Sequence, residues 1–288
     1  MIKRYFLPSP SKWPIIGSCG LFLILTGVIN LLHQNWYGHY LFMAGAILLA
    51  YTLSGWFNTV IVESRRGLHN QQVDRTYRYG MFWFITSEIA FFGIFFFALF
   101  YARHVAVAIL GGDVNNNFTH SELWPQFKAI WPLLSNPNPD LFKGPKAVIP
   151  AWGLPAFNTL LLLSSAAAVT WAQWGLQKNR RWQINLGLSL TILLGVLFLS
   201  CQAFEYHEAY YELNLTLNSG IYGTTFFMLT GFHAAHVTVG LLMLVVILIR
   251  CLKGHFTAKH HFGFEAVSWY WHFVDVVWLF LFVFVYWL

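Results

Sequence analysis

Charge is scarce in this sequence. Asp, Glu, Lys and Arg make up only 10 % of the 288 residues, and mean hydropathy is +0.55. A soluble domain of this length needs a larger charged surface, so a water-soluble globule is excluded. Cysteine is equally sparse. Cys19, Cys201 and Cys251 stand far apart with no CxxC spacing. That excludes a disulfide framework or a cysteine metal site and leaves small apolar packing residues. No GxxxxGK(S/T), GxGxxG or HExxH motif occurs, and nothing resembles a nucleophile elbow. Internal repeats are missing too, which argues against an inverted-repeat transporter.

Long apolar runs are what the chain has instead. A transmembrane helix needs about 20 such residues. Seven segments qualify, at 14–32, 40–62, 79–102, 152–176, 184–204, 219–249 and 262–288. They predict an all-α polytopic membrane protein. A β-barrel would show alternating segments of about ten residues, and these runs are continuous. No small-residue cleavage site follows the first run, so it is expected to be a retained helix.

The net charge of +6 does not indicate a nucleic-acid binder. The basic residues lie in the connections, where they set topology. With the N-terminus in the cytoplasm, thirteen fall inside: Lys3, Arg4, Lys12, Arg65, Arg66, Arg75, Arg78, Lys178, Arg180, Arg181, Arg250, Lys253 and Lys259. Only Arg103, Lys128, Lys143 and Lys146 fall outside. This is a strong positive-inside bias, and seven spans then place the C-terminus outside. Aromatics near the span ends, among them Trp36, Tyr37, Trp152, Trp171, Trp182, Tyr286 and Trp287, read as interfacial belts.

The only long connection, about 105–151, contains NNN and six prolines. It reads as an irregular external excursion with a short interfacial helix near 123–134. It leaves a two-helix group at 14–65 and a five-helix group at 72–288.

Ionisable groups at membrane depth are the candidates for chemistry. Glu88 sits in FWFITSEIAFFGIFFF with no basic residue within a turn or two. A lone ionised carboxylate there is very costly, so it is expected to be buried, and either protonated or hydrogen-bonded across helices. Proton handling and a structural role are both open for it. Glu205 and Glu208 lie nearer a polar helix exit, and a water-facing role is expected. His233 and His236 in GFHAAH share a helix face and could hold a metal, but the span offers no carboxylate of its own. Hydrogen bonding between helices is the simpler reading. Asp275 follows His272 by three residues and could bond to it or face a partner. Glu63, His69, Arg78, Arg250 and His260 gather at cytoplasmic helix ends, a level that suits phosphate head groups, with Trp56 two turns before Glu63.

Five strings act together: RYGMFWFITSEIAFF, LPAFNTLLLLSS, QAFEY, GIYGTTFFMLTGFHAAHV and HFGFEAVSWYWHFVDVVWLFLFV. In this order and on these spans, the chain resembles subunit III of the haem-copper cytochrome c oxidase family. The resemblance implies seven helices in a two-helix plus five-helix arrangement, with a lipid-filled cleft. It implies no catalytic residue, metal or redox centre in this chain, with haem and copper in partner subunits I and II. It implies bound phospholipid and support of proton uptake. Glu88 matches the family's buried helix-three carboxylate. Trp56, Glu63, Arg78, Arg250 and His260 match lipid-contact positions. Glu265 matches the FGFEA carboxylate and, like Asp275, is expected to be structural. Val62 stands where the family pattern often has Arg, with Arg65 or Arg66 the nearest substitutes. The long loop points to a bacterial inner (plasma) membrane ahead of a mitochondrial one. A quinol oxidase subunit and an independent proton or ion transporter are the rival readings. The first two spans argue against the one, the missing repeats against the other.

Overall fold

The computed structural model describes residues 6, 10–113, 117–258 and 260–288. Helix α1 spans Trp13–Leu32, α2 Gly38–Arg65 and α3 Gln71–Tyr101. A π-helical turn at Ala102–Ala106 carries α3 into the short α4, Val107–Leu110. Then come α5 (Asn117–Leu123), α6 (Leu154–Gln177), α7 (Arg181–Tyr211), α8 (Ile221–Leu252) and α9 (Phe262–Leu281), which ends in a π-helical stretch at Phe282–Trp287. Among the described residues there is no strand, only an isolated bridge between Thr257 and His260. Among the described residues seven helices are long and apolar enough to cross a membrane, and the protein is an all-α, multi-pass membrane protein.

Local chemistry sets the ends of these helices. Pro occupies the first turn of α1 and α6, where its missing N–H costs nothing. Gly67, Asn179 and Gly254 follow the C-caps of α2, α6 and α8 with φ of +70°, +54° and +68°. These left-handed residues stop each helix just after its last turn. Helix α8, with 32 residues, is about 48 Å long at 1.5 Å per residue, well over the hydrocarbon thickness.

The chain divides into two compact units, with the boundary between Tyr79 and Gly80, inside α3. In the first, α1 and α2 pair antiparallel through small residues. The residues buried on these two helices are Gly20, Gly27, Gly38, Gly45 and Thr52. A Cβ added at Gly27 would lie 2.5 Å from the Phe42 nitrogen, and one at Gly45 2.6 Å from that of Ile24. The two backbones touch, as small residues allow in lipid.

The second unit has a side-chain core. Phe198, Trp271 and Trp278 are fully enclosed, along with Leu188, Leu244 and Phe264. Helix α9 is fastened to α6 by four polar contacts. Ser268 Oγ donates to Gln173 Oε1 (3.2 Å), and His272 Nε2 meets Thr170 Oγ1 (3.2 Å). Trp271 Nε1 donates to Ser165 Oγ (3.0 Å), and Trp278 Nε1 to Thr159 Oγ1 (2.9 Å).

The long connection departs from expectation in two ways. Its helix is α5, at Asn117–Leu123, and the segment expected to be helical near 123–134 is not. Pro125 and Pro132 each remove a backbone donor and disfavour helix at the residue before them. The segment is also not a loose excursion. Phe127, Leu133 and Ile149 are buried with Leu215, Tyr222 and Phe226. Lys146 N donates to Leu213 O (2.8 Å), and Asn136 Nδ2 to Ser219 O (3.2 Å).

Candidate functional site

The second unit joins the carboxylate of α3 to a histidine of α8. Glu88 Oε2 lies 2.9 Å from His236 Nε2, and His236 Nδ1 lies 2.7 Å from the Phe232 carbonyl. A carbonyl only accepts, so Nδ1 carries a hydrogen. The contact to Glu88 then also needs one hydrogen, on Nε2 or on the carboxyl. Either way the pair is neutral overall and shares a single proton. The first form is an imidazolium–carboxylate ion pair, the second a carboxyl donating to a neutral imidazole.

The surroundings of the pair are aromatic. Phe92, Phe91 and Tyr270 place their rings 5.0, 5.9 and 6.5 Å from the His236 ring. Tyr270 Oη donates to the His236 carbonyl (3.4 Å). Burial is incomplete, with 20 % of the Glu88 side chain and 17 % of the His236 side chain accessible. The expected full burial of Glu88 is therefore corrected. Its carboxyl lies at the edge of an aromatic cluster, and the histidine across from it meets its hydrogen-bonding need. The bond across helices was one of the two outcomes expected for Glu88. The partner could not be read from the local sequence, because 148 residues separate the two.

His233 does not join this pair. It is 1 % exposed, between the rings of Phe198 (5.8 Å) and Trp278 (5.3 Å), and neither ring nitrogen has a hydrogen-bond partner among the described residues. Among the described residues no three His, Cys, Asp or Glu side chains converge in a metal-like group.

The remaining residues separate by unit. In the first, Trp56 is 47 % exposed on α2. Glu63 lies near the α2 terminus with His69 Nε2 at 3.8 Å, beyond hydrogen-bond length. Arg78 Nε donates to Asp74 Oδ2 at 2.9 Å, one turn earlier on α3. Arg65 and Arg66 are exposed at the end of α2. In the second, the Arg250 guanidinium lies 4.2 Å from the Phe256 ring centre, and its Nε has no hydrogen-bond partner among the described residues. His260 is exposed, its backbone paired with Thr257. Glu265, in the first turn of α9, has His261 Nε2 at 4.0 Å.

Asp275 is 6 % exposed, and its Oδ1 has no hydrogen-bond partner among the described residues. His272 turns to Thr170 instead of to Asp275. Glu205 overturns the water-facing expectation. It is 0 % exposed and accepts hydrogen bonds from Gln202 and Tyr286. Tyr286 accordingly leaves the interfacial belt. The π-helical turn it belongs to brings it inward onto α7.

Seven apolar helices among the described residues, with a carboxylate of one meeting a histidine of another, define a polytopic membrane protein. The sequence model of the family described as cytochrome c oxidase subunit III matches residues 3–118 and 116–288. The chain is 40 % identical over 287 residues to the cytochrome c oxidase subunit 3 of Pelomedusa subrufa, covering 99 % of this chain and 97 % of that one. It is 40 % identical to the same subunit of Rattus norvegicus, covering 98 % and 96 %, and 41 % identical to that of Marchantia polymorpha, with the same coverage. The chain belongs to the cytochrome c oxidase subunit III family.

Proposed function

We propose that this chain is the non-catalytic third subunit of a cytochrome c oxidase that reduces oxygen to water and pumps protons. Haem and copper belong to its partners, subunits I and II, and this chain supports proton uptake and the stability of the catalytic subunit. Family membership supports the subunit role. The observation that carries the proton role is the Glu88–His236 pair. It holds one proton between two groups of opposite charge preference, so a proton can move from one to the other with little change in net charge.

Phospholipid is the second proposed ligand. Arg250 places its guanidinium against the Phe256 ring near the end of α8. Such a group is suited to a phosphate oxygen, and His260 follows in the next connection. On the other unit, Arg78, Glu63 and Trp56 form a separate group at the ends of α2 and α3. There Arg78 is already engaged by Asp74, which makes it the weaker contact.

The proposed membrane is a bacterial plasma membrane, N-terminus inside. The charge bias supports the orientation. The length of the connection at about 105–151 supports the bacterial membrane. The relatives named above are animal and plant proteins.

Purification of the native complex tests the subunit role. The chain is expected to co-purify with haem- and copper-bearing partners that oxidise reduced cytochrome c, and to contain no stoichiometric metal when separated from them. One metal per isolated chain would overturn the reading. Native mass spectrometry of an Arg250→Ala complex tests the lipid role, with loss of retained phospholipid expected and an unchanged lipid count contradicting it.

A further inference from the structure

Away from the Glu88 pair, the bundle encloses a second polar cluster that the proposed function does not use. Phe198, Gln202 and Glu205 lie on one face of α7, one turn apart. Gln202 is 3 % exposed and Glu205 0 %. Gln202 Nε2 donates to Glu205 Oε1 at 3.1 Å, and Tyr286 Oη donates to the same oxygen. Two acceptors are left over. Gln202 Oε1 and Glu205 Oε2 have no hydrogen-bond partner among the described residues.

The facing helix brings more of the same. Tyr206 Oη lies 2.6 Å from Thr230 Oγ1, and Gly195 faces Leu241. This antiparallel register sets Gln202 level with His233 and Ala234 on α8. His233 is buried there with both ring nitrogens unpartnered among the described residues. Its ring meets Phe198 and Trp278, and Trp278 in turn meets Tyr286, at 5.8 Å between centres. One aromatic cage thus surrounds two unpartnered oxygens and two unpartnered nitrogens.

Neutral imidazole has one donor and one acceptor, and the two oxygens accept. Neither ring nitrogen of His233 is hydrogen-bonded to either oxygen, so these groups do not complete one another. Inside a membrane bundle, unpaired polar atoms are costly, and buried water is the usual remedy because one molecule makes about three hydrogen bonds. We propose that Gln202, Glu205, His233 and Tyr286 form a buried hydration site, whose ligand is ordered water bridging α7, α8 and the C-terminal π-helical turn. Its role is to hold those three elements in register around polar groups that the protein leaves incomplete. The proposal does not depend on the Glu88 pair or on bound lipid.

A high-resolution structure of the native complex containing the full chain tests this directly. Density for water is expected within hydrogen-bond distance of Glu205 Oε2 and of at least one His233 nitrogen. A dry cage, with the Glu205 carboxyl donating straight to Gln202 Oε1, would overturn it. His233→Phe gives a second test by its sign. It keeps the ring and deletes both nitrogens. If water is bridged there, the variant complex loses about 3 °C or more in thermal midpoint. If the nitrogens are merely unpaired, their removal leaves the midpoint unchanged or raises it, and the proposal fails.

Discussion

The α1–α2 hairpin and the α6–α9 bundle cross the same kind of medium but are held together differently. In the most apolar stretch of α1 and of α2, 11 % of residues are buried within the protein, against 44 % in α6 and 50 % in α9. The hairpin turns nearly all its side chains outward and relies on glycines that let two backbones touch. The bundle relies on large aromatics whose N–H groups reach hydroxyls on the next helix. Hydrophobic burial does not distinguish protein from lipid, so close packing and hydrogen bonds supply the stability in both. The hairpin uses the first almost alone, the bundle both. The fully enclosed ionisable groups Glu205 and His233 lie in the bundle, where there is enough surrounding protein to enclose them.

The sharpest way to break this comparison is a branched residue in the hairpin. Gly45→Val places methyls against the Ile24 backbone, where no flexible side chain can give way. A loss of about 3 kcal/mol is expected, read as a drop in the thermal midpoint of the purified complex or as loss of its assembly. The same volume added at exposed Gly80 or Gly93, where a Cβ meets nothing within 4 Å, should cost far less. The bundle should respond to a different change. Trp278→Phe removes the donor to Thr159 and part of the core, with about 2 kcal/mol of destabilisation expected from chemical denaturation. Thr170→Val leaves His272 without its partner on α6 and should cost about 0.6 kcal/mol by the same measurement. At the smallest end, Ile47→Ala on the outer face of α2, 65 % exposed, should change the stability of the protein by less than about 0.5 kcal/mol. A large loss there would show that the hairpin does not stand on its glycines.

The fold was largely legible because the apolar runs are long and continuous. Every expected span is a helix, and most run past the apolar run into polar ends, as α7 does through Glu208 to Tyr211. Amphipathic tails keep their backbone bonds in water, so hydropathy marks the hydrocarbon and not the helix. The short helix in the long connection was misplaced because Pro125 and Pro132 disfavour helix across 123–134. Glu88 was legible as an anomaly in its own helix, but His236 was legible only as half of a histidine pair. Their meeting depends on how α3 and α8 pack, which no local pattern encodes. Glu205 was misread because QAFEYHEAYYE is polar as a string. On the helix, Glu205 falls on the inner face with Gln202, and Glu208 does not share its full burial.

The central claim is that Glu88 and His236 work as one proton-sharing unit that sustains turnover without taking part in oxygen chemistry. A double-mutant cycle on the intact oxidase tests it most directly, using Glu88→Gln, His236→Gln and the two together. The readout is the initial rate and its decay over repeated turnover in haem-replete complexes. The account predicts near-normal initial rates in all three, faster decay in each single variant, and no further acceleration in the double variant. Immediate and complete loss of activity in Glu88→Gln, or decay that multiplies in the double variant, would contradict it.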